Sequence, residues 1–255
     1  MEKIIVDGGQ KFDFGKTSKE YAKYRDIYPQ ELYTRLYELG IGTKGSKWLD
    51  LGTGTGVVPR EMAKYGADIV AVDISKEQIE EAKELSKEYT NIEYGVSSAE
   101  DLCYGENTFD AITACQCFWY FDPKIIVPKI QSMLKPDGIF LKVYMSYMKE
   151  EKITQDSNRL VKEINGLWGG ASASLKDLKT HYFDDPQMET MIVDLPFTRE
   201  TWHGRMMASR GVMASMDEEQ IRIFDLKHRE MLENKYPEEF TVKHKIFLTW
   251  YKCQK

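Results

Sequence analysis

The sequence predicts an α/β protein built on a mostly parallel sheet with helices on both faces. Three observations predict it. Apolar runs of strand length alternate with amphipathic stretches of helix length between residues 47 and 144, and one run passes directly into Gly52, Gly54 and Gly56. No internal repeat and no linker rich in Pro, Gly or Ser divides the 255 residues. Strands separated by helices need crossover connections, which make neighbouring strands parallel and cover both faces of the sheet.

Each element follows from its local pattern. Over residues 17–39, Tyr21, Tyr24, Tyr28, Leu32, Leu36 and Leu39 recur every three or four positions, which predicts two helices, the second starting at Pro29. Residues 47–51 read as a strand and 57–65 as a helix, with Pro59 in its first turn, where a missing N–H costs little. A strand over 68–72, a helix over 75–89 capped by Ser75 and Gln78, and a strand over 91–95 repeat the unit. A strand over 109–115, a helix over 123–134, the turn Lys135-Pro136-Asp137-Gly138 and a strand over 139–144 complete the regular part. Residues 146–186 read as an insertion, part helix and part loop, glycine-rich near 165–174. Beyond it come a strand over 188–194, helices over 199–214 and 216–235, the latter capped by Ser215 and Glu218, and a closing strand over 241–251.

Composition narrows the function. Hydrophobic residues at 42% and charged residues at 30% describe a folded, water-exposed chain rather than a disordered one. A net charge of −6 argues against binding nucleic acid or an anionic membrane through the overall field. No apolar run approaches the roughly 20 residues that span a bilayer, and the first residues lack the apolar stretch of a signal peptide, so a cytoplasmic protein is expected. Cys103, Cys115, Cys117 and Cys253 form no CxxC pair and have no histidine at zinc-ligand spacing, which predicts reduced, buried thiols. The Asp184-Asp185 pair lacks further ligands, so no catalytic metal is expected.

The most informative stretch is Trp48-Leu49-Asp50-Leu51-Gly52-Thr53-Gly54-Thr55-Gly56. Glycines between a strand and a helix remove the Cβ atoms that would hold a ligand away and expose backbone N–H groups to it. Asp73 ends the following strand, where a carboxylate can accept both hydroxyls of a ribose. A dinucleotide fingerprint GxGxxG would need glycine where Val57 stands. Asp50, just before the first glycine, would repel a pyrophosphate and attract an ammonium group.

Through residues 49–56, Asp73, and Phe109-Asp110 at the start of the fourth strand, the chain resembles the class I S-adenosylmethionine-dependent methyltransferases. The resemblance implies a Rossmann-like, doubly wound sheet of seven strands, mostly parallel with an antiparallel last strand, in a single domain over residues 1–255. Within it, 15–40 would be lid helices, 46–145 the cofactor-binding core, 146–215 an insertion and substrate lid, and 216–255 the closing helix and strand. It implies S-adenosyl-L-methionine as cofactor. Asp50, Gly52, Thr53, Gly54 and Gly56 would lie along the methionine part, Asp73 and Ile74 at the ribose and adenine, and Ser98, Ala99 and Glu100 at the adenine. The family often has Asp at the place of Ser98, so adenine would lean on backbone N–H groups or on the Ser98 hydroxyl.

Residues 21–29, YAKYRDIYP, look like the N-terminal segment of the small-molecule group related to trans-aconitate methyltransferases. There Arg25 would pair with the methionine carboxylate while Tyr21 and Tyr24 shield the sulfonium. Residues 114–122, ACQCFWYFD, resemble the same group's fourth-strand end, which puts Cys115 and Gln116 at the cofactor and Trp119 near the acceptor, where a histidine often stands.

Methyl transfer from a sulfonium is a displacement, so the protein mainly aligns nucleophile, methyl and sulfur and excludes water. His203, Trp119 and Tyr21 are the candidates for a catalytic role. A small-molecule acceptor is the expected partner, and a monomer or a homodimer the expected state. Two other readings compete: a nicotinamide-dependent oxidoreductase, disfavoured by Val57, and a nonenzymatic cofactor-binding protein, suggested by Trp119 in the place of histidine.

Overall fold

A computed structural model of the chain describes residues 24, 28–166, 168 and 181–253, together with the backbone of 5–6 and 10–11, which pair as a short antiparallel ladder. The described contacts fall into two compact units: residues 28–144, 176–190 and 247–255 in one, and 1–27, 145–175 and 191–246 in the other.

The regular part folds as the alternation requires. Helix α1 (Gln30–Glu38) buries Leu32, Tyr33 and Leu36, with Pro29 at its N-cap. Strand β1 (Lys47–Leu51) leads into α2 (Val57–Met62), which tightens to a 3₁₀ turn over Ala63–Tyr65. Next come β2 (Asp68–Asp73), α3 (Lys76–Leu85), β3 (Ile92–Val96), β4 (Phe109–Cys115), α4 (Pro123–Met133) and β5 (Leu134–Tyr147). The remaining elements are α5 (Lys152–Ile164), β6 (Gln187–Thr198), α6 (Arg199–Met207), α7 (Glu218–Lys235) and β7 (Glu239–Lys252).

The seven strands lie in the order β3-β2-β1-β4-β5-β7-β6. Strands β1 to β5 pair in parallel, with Leu49 opposite both Val70 and Ile112. The last strand is reversed: Cys253 N–H donates to Gly138 while Met148 N–H donates to Lys243, and Arg199 N–H donates to Glu238 on the side of β6. The strand order turns back between β1 and β4, the switch point outside whose carboxyl ends ligands bind in open α/β sheets. Leu49, Leu51, Val70, Val72, Ile112, Ala114 and Phe140 pack on one face of this part of the sheet. Trp48 and Asp50 belong to the opposite face, because successive strand residues alternate.

Three of the boundaries that the structure corrects have a clear physical reason or a large shift. Strand β5 starts at Leu134, directly after α4, and runs through the expected turn to Tyr147. Asp137, at φ +62°, donates its N–H to Cys253, so the turn stays in the sheet as a bulge where the register jumps from Leu134 to Ile139. Helix α6 ends at Met207 rather than near 214. Helix α7 is capped by Asp217, not Ser215: Asp217 accepts from Gln220 N–H, and the Gln220 side chain accepts from Asp217 N–H in return. Ser215 is already engaged, donating to the Arg210 carbonyl at 2.7 Å and accepting from Asn165 Nδ2 at 2.8 Å. Replacing Asp217 with Ala should therefore cost about 1 kcal/mol of stability in urea unfolding. An unchanged midpoint would show that the cap does not support the helix.

Candidate active site

Three glycines form the floor of the site, each for its own reason. Gly52, Gly54 and Gly56 have φ of +61°, +59° and +73°, the left-handed region in which a side chain is strained. A Cβ on Gly52 would meet Cys117 Sγ at 2.8 Å, and one on Gly56 would fall on the Tyr94 hydroxyl. On Gly54 it would find only Gln78 Oε1, at 3.8 Å, so that glycine faces open space.

Asp73 holds the turn in place. Its Oδ2 accepts from Gly54 N–H and its Oδ1 from Ser75 N–H, both at 2.9 Å, and Thr53 N–H donates to Val72 at 2.9 Å. Burial pushes the Asp73 carboxyl up, and the backbone N–H groups of Ser75, Gly54 and Ile74 pull it back. A carboxylate offers about four acceptor sites, so capacity remains for a ligand hydroxyl. Beside it stand two exposed apolar side chains, Ile74 at 42% and Val96 at 54%.

Asp50 is the buried acid, only 2% exposed. Thr113 donates its hydroxyl proton to Asp50 Oδ1 at 2.6 Å, and Trp48 Nε1 donates to Thr113 Oγ1 at 2.8 Å. Burial raises the Asp50 carboxyl to about 6; Thr113 opposes this, as does, more weakly, the nearby hydroxyl of Thr53, while the charge of Asp73 adds to it. Cys115, at the end of β4, has its thiol pushed well up by burial and then by Asp50.

The residues expected at the adenine are partly committed elsewhere. Ser98 donates to Asp101 Oδ2 at 2.7 Å and accepts from Asp101 N–H at 3.1 Å, so its hydroxyl closes its own turn. Glu100 Oε1 accepts from Asp122 N–H at 2.8 Å and fixes the start of α4, while Ala99 is buried in the core. Gln116 sits at φ +61° and donates its N–H to Val143. Trp119 lies edge-on to Tyr144, with its indole N–H buried and without a partner. Tyr21 and Arg25 lie outside the described residues.

His203 belongs to the other unit, in a buried polar chain. Asp225 can only accept, so His203 Nε2, 2.9 Å away, carries its proton; His203 Nδ1 then accepts from His228 Nδ1 at 2.9 Å. His228 Nε2 in turn accepts from the Ser157 hydroxyl at 3.0 Å, and Trp202 donates to Ser157. Every group is satisfied with both rings neutral, and neither His203 nitrogen is left over. Among the described residues no group of three His, Cys, Asp or Glu could hold a metal ion.

Residues 49–141 match the methyltransferase domain family. The chain carries a class I S-adenosylmethionine-dependent methyltransferase domain. A Dictyostelium discoideum protein named as a methyltransferase is 30% identical over 130 residues, 50% of this chain and 48% of that protein. The ubiquinone biosynthesis O-methyltransferase of Actinobacillus pleuropneumoniae serotype 7 is 32% identical over 120 residues, 41% of this chain and 51% of that enzyme. The chain thus spans about half the length of these curated relatives. Among solved structures, a type II methyltransferase, so described, from Anaeromyxobacter dehalogenans superposes with a TM-score of 0.67 at 18% identity, covering 89% of this chain and 97% of that one. Phosphoethanolamine N-methyltransferase 2 of Haemonchus contortus, solved with S-adenosylhomocysteine, gives 0.55 at 16% identity, covering 92% and 57%. These likenesses establish the Rossmann-like methyltransferase fold. The grouping with trans-aconitate methyltransferases finds no specific counterpart among them.

Two outcomes follow from the geometry of the methyltransferase domain and its companion unit. Gly52→Ala and Gly56→Ala should each lower stability in urea by more than the about 1–2 kcal/mol of left-handed strain expected for Gly54→Ala; equal costs would mean that the Cys117 and Tyr94 contacts do not count. Burial holds His228 down to about 3 and His244 to about 4, so above the ordinary histidine range near 6.5 the folded state suffers nothing. Below it the unfolded chain takes up protons that the folded chain refuses. The urea midpoint should fall between pH 6.5 and pH 4, and a flat profile would contradict the neutral chain.

Proposed function

We propose that the chain is an enzyme that moves the methyl group of S-adenosyl-L-methionine to a small-molecule acceptor by in-line displacement. The supporting observation is the pair of acids around one glycine turn. Asp73 stands at the end of β2 with acceptor sites to spare, Asp50 is buried at the end of β1, and Gly54 lies open between them. That pattern suits a ligand with a ribose at one end and an ammonium group at the other.

In this reading Asp73 takes the ribose hydroxyls, and Ile74 lies against the adenine with the backbone of Ser98, Ala99 and Glu100 at its edge. Gly52, Thr53, Gly54 and Gly56 run beneath the methionine part, and Asp50 faces its ammonium. Cys115 and Gln116 border the sulfonium, and Tyr21 and Arg25 close over it. The cofactor supplies the methyl group; the chain's own residues orient it and keep water out. Trp119 can donate a hydrogen bond to an acceptor molecule but cannot take its proton, since an indole N–H is only a donor. A nicotinamide would need its pyrophosphate beside Asp50 and Val57, which these residues oppose. The name of the Actinobacillus relative, a ubiquinone biosynthesis O-methyltransferase, supports a small-molecule acceptor. A cytoplasmic enzyme acting as a monomer or a homodimer, its N-terminal helices and the 146–215 insertion serving as lids, completes the proposal.

Calorimetric titration with S-adenosylhomocysteine tests it. Asp73→Asn removes the charge and leaves one acceptor oxygen where Gly54 N–H and Ser75 N–H use two, and it should weaken binding at least about tenfold, the loss expected of hydrogen bonds to a charged group. Unchanged affinity in a folded variant, or tighter binding of NADH by the wild type, would sink the assignment.

A further inference from the structure

The chain Trp48–Thr113–Asp50 has a direction that its members' chemistry enforces. An indole nitrogen only donates, so the bond of 2.8 Å from Trp48 occupies a lone pair of the Thr113 hydroxyl. The hydroxyl proton is then turned to its other neighbour, Asp50 Oδ1, at 2.6 Å. Trp48 and Thr113 are fully buried, and Asp50 is 2% exposed, so water does not compete for either bond. The register keeps the three together: Asp50 is opposite Thr113 and Trp48 is opposite Ala111 in the parallel pairing of β1 with β4.

We propose that Thr113 is a positioning residue for the cofactor's amino group, its hydroxyl locked by Trp48 so that it holds Asp50 ionised and turned to receive an ammonium. This rests on the cofactor reading above and adds to it two residues that touch no ligand. The titratable groups that face Asp50 are Asp73 at the end of β2, whose charge disfavours a second carboxylate, and the Cys115 thiol at the end of β4, which burial and then Asp50 keep neutral. Against burial and Asp73, the Thr113 proton is the strongest of the contacts that favour the Asp50 carboxylate. Without it, protonation should move to higher pH, and a protonated Asp50 loses its attraction for a cation.

Two ligands separate this role from simple packing. S-adenosylhomocysteine carries the amino group, whereas 5′-methylthioadenosine has the nucleoside and sulfur without it. Calorimetry from pH 5.5 to pH 8 should show Thr113→Val weakening S-adenosylhomocysteine about tenfold at pH 7, with the pH at which affinity is half lost moved upward. Methylthioadenosine should bind the variant as it binds the wild type, and Thr113→Ser should restore both affinity and midpoint. Thr113→Cys, of similar size with a poor donor, gives the same comparison if the valine variant does not fold. Equal weakening of both ligands, or an unmoved midpoint with wild-type binding intact, overturns the role of Thr113 alone. Wild type that binds neither ligand overturns the cofactor reading, and the positioning role falls with it.

Discussion

The bond from Gly54 N–H to Asp73 Oδ2, at 2.9 Å, ties the turn after β1 to the end of β2, and the site depends on it. It needs a backbone at φ +59°, which only glycine adopts without strain, and a carboxylate at the carboxyl end of the neighbouring parallel strand. Parallel pairing of β1 with β2 supplies the second condition, because it puts Leu51 opposite Val72 and so brings both strand ends to the same side. With β4 on the other flank of β1, the turn falls where the strand order reverses. Sheet topology, turn conformation and the position of the acid are therefore one constraint. A side chain at Gly54 has room in the protein, so the glycine there serves the left-handed backbone rather than internal packing.

Two buried polar chains follow the same rule and reach different ends. In each, an indole N–H at one end and a carboxylate at the other set the direction of every proton between them. Trp48 and Thr113 end on Asp50, which is beside the open turn and retains acceptor sites. Trp202, Ser157, His228 and His203 end on Asp225, whose charge is already paired with Arg229 at 3.0 Å. The second chain is closed, with both histidines held neutral by burial and nothing left to donate or receive, which is the signature of a support for packing. The first ends, beside the glycine turn, on a carboxylate that is buried and has no cation paired with it among the described residues.

The parts of this arrangement that are local in sequence were legible there. Strands β1 and β4 occupy the expected residues 47–51 and 109–115, because short apolar runs between glycines and turn residues leave few alternatives. The glycine turn, Asp50 and Asp73 stand within one βαβ unit and needed only their spacing. What depends on long-range contact was not legible. Thr113 reads as an ordinary strand residue until the register sets it opposite Asp50, 63 positions away in the chain. The Ser98 hydroxyl has an equally local competitor in Asp101, and the Ser215 hydroxyl a distant one in Asn165. The bulge at Asp137 is held by the carbonyl of Cys253, just past the end of β7, a distant contact that the Lys-Pro-Asp-Gly signal could not announce. The pairing of His203 with His228 spans two helices that share no sequence motif.

The residues at the end of β4 bear on the kind of acceptor that suits the proposed reaction. The thiol of Cys115 is pushed well above its ordinary range by burial and by Asp50, so at neutral pH it is neither a base nor a thiolate. The amide of Gln116 does not titrate, and the indole of Trp119 only donates. These groups can orient an acceptor through its lone pairs but cannot draw a proton from it. An alcohol, which must lose its proton to attack, gains little from them. An amine or a thiolate already holds the electron pair that forms the new bond, and needs only alignment with the methyl group and the exclusion of water. The buried N–H of Trp119, costly while unpaired, would be satisfied by a carbonyl or carboxylate oxygen elsewhere on such a molecule, so that the acceptor is held by one group and attacks with another.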